Sequence, residues 1–141
     1  KMYPDNSRIL QGKILIYLQL GRFDDALQAN ERRSEGWPND KAFMKSYLLA
    51  RAGRADESRR LLEKLLGTTQ EKEIRNYSVA MTYAALNDRD KVFESLERAY
   101  EAREWFLAQM KSNSAFDALH DDPRYKDLLR RINLPATEAK K

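Results

Sequence analysis

Apolar residues recur along this chain at helical rather than strand spacing, in phased blocks separated by polar ones. One block holds Phe23, Ala26 and Leu27, a second Leu61, Leu62 and Leu65, a third Val92, Leu96 and Ala99. Intervals of three and four residues place each set on one face of an α-helix. Segments 7–20, 41–52 and 72–86 precede these blocks and read as helices as well. Only 5 Gly and 4 Pro punctuate the 141 residues, which favours long helices over a many-turned β fold. The fold class expected is all-α, in a chain whose length suits one domain of ordinary size.

One stretch resists this reading. Residues 14–20, ILIYLQL, are nearly continuously apolar and, taken alone, would pass for a buried strand. Their phase with 41–52 and 72–86 decides for a helix, and apolar residues all round predict that it is buried on two sides.

The blocks repeat. GRFDDAL from Gly21 is echoed by GRADESR from Gly53 and more loosely by NDRDKVF from Asn87, at intervals of 32 and 34 residues. Four places before each start stand Tyr17, Leu49 and Tyr83; five places after stand Ala26, Ser58 and Val92. Each copy reads as two helices around a tight turn. Gly or Asn takes the left-handed conformation that ends the first helix. The acids Asp24-Asp25, Asp56-Glu57 and Asp88 with Asp90 then favour the first turn of the second helix. Thr68 and Glu71 stand at capping-box spacing for the start of the third pair.

This pattern resembles the tetratricopeptide repeat family, whose roughly 34-residue helix–turn–helix units stack into an α-α superhelix. The matching residues are Tyr17, Gly21, Phe23, Ala26 and Pro38, then Leu49, Gly53 and Leu62, then Tyr83 and Ala99. Ser58 and Val92 stand where the family has Ala, Asn87 where it has Gly, and the first-helix Trp is missing throughout. The resemblance implies helix pairs over 7–38, 39–67 and 68–104. Tyr3-Pro4 lies 34 residues before Trp37-Pro38, so residues 1–6 read as the exit of a preceding repeat. The expectation is the C-terminal part of a larger protein.

After Tyr100 the repeat stops. Asp122-Pro123 is a helix start, with Asp capping and Pro in the first turn. Tyr125, Leu128, Leu129 and Ile132 then form one apolar face, as a capping helix requires. Segment 116–125 with Leu134-Pro135 resembles the tail that closes many bacterial tetratricopeptide regions behind a signalling or regulatory domain. Residues 105–135 are therefore read as a capping segment and 136–141 as a frayed tail.

Charge and chemistry change this picture little. The net charge is +4, and Arg32-Arg33, Arg59-Arg60 and Arg130-Arg131 are scattered, unlike a clustered nucleic-acid footprint. No nucleic-acid partner is expected. No run reaches the ~18 apolar residues of a membrane span, so no membrane partner is expected, and the chain as given carries no targeting signal, for which the expected compartment is the cytoplasm. With no Cys there are no disulfides or thiolate metal sites. His120, the single histidine, is flanked by Asp121 and Asp122, but adjacent residues rarely converge on one metal ion. No phosphate loop or hydrolase motif occurs. We expect neither an enzyme nor a cofactor.

In the family that the chain resembles, the first helix of each pair lines a groove that receives a peptide. Helical phase projects Arg8, Gln11, Leu15 and Gln19, then Phe43, Tyr47 and Arg51, then Tyr77 and Met81 onto that line. The three aromatics there have two readings, exposed binding residues or packing between helices, with Tyr47 and Tyr77 favoured for binding. The positions at which co-chaperone members clamp a terminal carboxylate hold Gln11, Leu15, Met44, Ile74 and Ser78, which lack the charge. The partner expected is a protein or peptide segment with apolar or aromatic character. A homodimer through apolar surface around Ile9 and Ile14 is the further association expected.

Overall fold

The computed structural model describes residues 7–34 and 39–132, and every regular element among them is helical. Helices α1 (Ser7–Gln19) and α2 (Phe23–Arg32) form one antiparallel pair, α3 (Asp40–Arg51) and α4 (Ala55–Thr68) the next, α5 (Asn76–Ala85) and α6 (Arg89–Glu101) a third. Two 3-10 segments, Trp105–Ser112 and Ser114–Leu119, then lead to α7 (Pro123–Ile132). The chain divides into two compact units, Lys1–Ile74 and Arg75–Lys141. The exit prolines Pro4 and Pro38, Leu134-Pro135 and the tail lie outside the described residues.

Each pair turns on the same device. The N–H of Arg22 donates to the Tyr17 carbonyl at 2.8 Å and that of Gly21 to Leu18 at 3.2 Å. The same two bonds recur as Arg54 to Leu49 with Gly53 to Ala50, and as Asp88 to Tyr83 with Asn87 to Ala84. They satisfy carbonyls that a helix end otherwise leaves open, and they require a left-handed residue between the helices. Gly21, Gly53 and Asn87 supply it, with φ of 73°, 83° and 62°. The recurring Tyr17, Leu49 and Tyr83 are thus the residues whose carbonyls close the turn. A fourth copy, not evident from the sequence, ends α6: Glu104 donates to Ala99 and Arg103 to Tyr100, with Arg103 itself left-handed at φ 57°.

The second helices start as the acids predict. Arg22 holds Asp25 at 2.7 Å, Arg54 holds both oxygens of Glu57, and Asp88 accepts the Lys91 N–H. Ala26, Ser58 and Val92, equivalent in the repeat, are each fully buried.

In the first unit α2 joins α3 through polar as well as apolar contacts. The Asn30 amide donates to the Lys41 carbonyl at 2.9 Å and Arg33 pairs with Asp40 at 3.1 Å, while Arg51 lies over the Phe23 ring. Ser58 on α4 donates to the Ser46 carbonyl of α3 at 2.7 Å. Helix α1 corrects the expectation of burial on two sides: Leu10 and Ile14 turn into the core, but Leu15, Ile16 and Leu20 stay exposed. Its nearly continuous apolar run exceeds what one packed face can cover.

The second unit is built around Tyr77 and Ala80 of α5, Phe93 and Leu96 of α6, Met110 and Phe116 of the 3-10 segments, and Tyr125 and Leu128 of α7. Helix α7 begins as expected, with the Asp122 carboxylate accepting the Arg124 N–H at 2.9 Å. The start of α5 is a correction. Thr68 ends α4, its hydroxyl donating to the Lys64 carbonyl, and Glu71–Glu73 is a separate 3-10 turn, so there is no capping box. Helix α5 begins at Asn76, where the Glu104 carboxylate receives the N–H groups of Asn76 and Tyr77.

Candidate protein-interaction surface

The nine residues projected onto the groove line fall into two groups. Arg8, Gln11, Leu15 and Gln19 on α1 are exposed, Leu15 at 63%. Their side of α1 faces away from Leu10 and Ile14, which fill the core. Arg51 is half-buried near the end of α3, donating to the Tyr47 hydroxyl at 2.8 Å.

The aromatics correct the expectation of exposure. Phe43, Tyr47 and Tyr77 retain 1%, 4% and 4% of their accessible surface. Of the two readings, packing is the one realised. Tyr77 stacks with Phe106 at 6.2 Å between centroids and meets Phe116 edge-on at 5.5 Å, distances at which aromatic pairs attract. Asn113 donates to the Tyr77 hydroxyl at 2.8 Å and lies 3.6 Å from the sulfur of half-buried Met81. The side of α5 assigned to a ligand is therefore lined by the chain's own 106–116 segment. Periodicity groups residues by helix face; it does not reveal which face a later segment covers.

Trp105 went unnoticed in the sequence and is exposed at 66%. Its ring stacks on Phe106 at 3.9 Å, and the Arg75 guanidinium lies 4.5 Å from the Phe106 centroid. The adjacent Trp-Phe dipeptide, outside the repeat phase, is the signal that marks it.

His120 and the acids near it, Asp117 and Asp122, pair with neighbouring side chains. The His120 ring stacks on Tyr125 at 4.7 Å, with its Nε2 4.0 Å from Asp117. Asp122 faces Arg89 at 3.3 Å and Arg124 at 3.0 Å; hydrogen bonds from Arg124, foremost, hold its pKa down to about 2. Among the described residues no group of three or more His, Asp or Glu is placed to hold a metal ion, and no helix is long and apolar enough to cross a membrane.

Comparison of the chain with family models, with curated proteins and with solved structures finds no match in any of the three. The class the fold defines is that of all-α chains built from antiparallel helix pairs.

Proposed function

We propose that this chain is a protein-interaction module, a tetratricopeptide-like helical repeat that binds a peptide or protein segment through the exposed side of α1. The observation that supports this most is the turn used three times in phase, at Gly21, Gly53 and Asn87, with the same pair of backbone bonds. Repeated helix pairs present long side-chain surfaces rather than a single pocket, and such surfaces serve binding. Burial of Tyr47 and Tyr77 moves the binding line onto Gln11, Leu15 and Gln19, with Arg8 at one end. It is apolar and amide-rich with one cation, which suits an apolar segment carrying one acidic side chain and offers little to a nucleic-acid backbone.

Quantitative affinity capture from a source lysate tests it, comparing the natural chain with a Leu15→Glu/Gln19→Glu variant of equal helicity. A protein retained by the natural chain and lost from the variant is the expected result. Identical retention profiles would remove α1 as the binding surface.

A further inference from the structure

We draw no further inference here: the strongest candidate, the surface patch formed by the exposed Trp105 ring stacked on Phe106 beside Arg75, carries nothing because nothing in the structure shows what covers it.

Discussion

The Glu104 carboxylate accepts the Tyr77 N–H at 3.0 Å through one oxygen and the Asn76 N–H at 2.9 Å through the other. A residue just past the end of α6 thus caps the start of α5, satisfying two amides that the helix cannot satisfy itself. Its negative charge also sits at the positive end of the α5 dipole.

Removing that cap with Glu104→Ala is expected to lower stability by about 1–2 kcal/mol. Glu104→Gln keeps neutral acceptor oxygen at the site and is expected to lose less. Urea unfolding followed by circular dichroism measures both, and an unchanged midpoint for Glu104→Ala would contradict the cap.

The turn residues predict opposite signs for two glycine substitutions. Gly53 sits at φ 83°, so Gly53→Ala forces a side chain into the left-handed region at a cost of about 1–2 kcal/mol. Gly67, exposed in the last turn of α4, has nothing within 4 Å of a built Cβ. Gly67→Ala is expected to stabilise by up to about 1 kcal/mol. Thermal unfolding of the two variants, measured together, distinguishes turn strain from a general tolerance of alanine.

Acid sensitivity should centre on Asp122. Folding lowers its pKa from 3.8 to about 2, chiefly through hydrogen bonds from Arg124. A carboxylate depressed by folding contributes stability above its unfolded value, and that contribution is lost as pH falls through the folded one. Stability is therefore expected to fall between pH 4 and 2, and Asp122→Asn should flatten that limb. Urea midpoints at several pH values check it; limbs of equal slope would assign the acid sensitivity elsewhere.

Two large aromatics close in sequence should behave unlike each other. Phe116 is fully buried against Tyr77, and Phe116→Ala is expected to cost about 3–5 kcal/mol. Trp105 is largely exposed, and Trp105→Ala should cost under about 1 kcal/mol. Comparable losses in the two unfolding curves would mean that Trp105 is packed in solution.

The legible parts of the fold were those decided within a few residues. The turns at Gly21, Gly53 and Asn87, the acids opening α2 and α4, and the Asp122-Pro123 start of α7 are each set by local backbone chemistry. What escaped the sequence depends on contacts across long separations. The α5 cap comes from Glu104, some 28 residues onward, so the nearer Thr68 and Glu71 drew the start of that helix too early. Arg103 adopts a left-handed turn without the glycine or asparagine that would announce it. On the candidate surface, helical phase grouped Arg8, Leu15 and Gln19 correctly on one exposed side. It gave no sign that Phe106, Asn113 and Phe116 would line Tyr77, because their 3-10 segments follow no heptad or strand period.

Hydrogen exchange at four backbone amides tests the repeated turn most directly. The N–H groups of Arg22, Arg54, Asp88 and Glu104 lie between helices, yet each donates to a carbonyl at 2.8–3.0 Å. If one device closes all four helix ends, these amides are protected well beyond ordinary connecting residues. Exchange at unprotected loop rates at Arg22, Arg54 and Asp88 would mean that the three copies do not share a turn, and the helix-pair repeat would have to be given up.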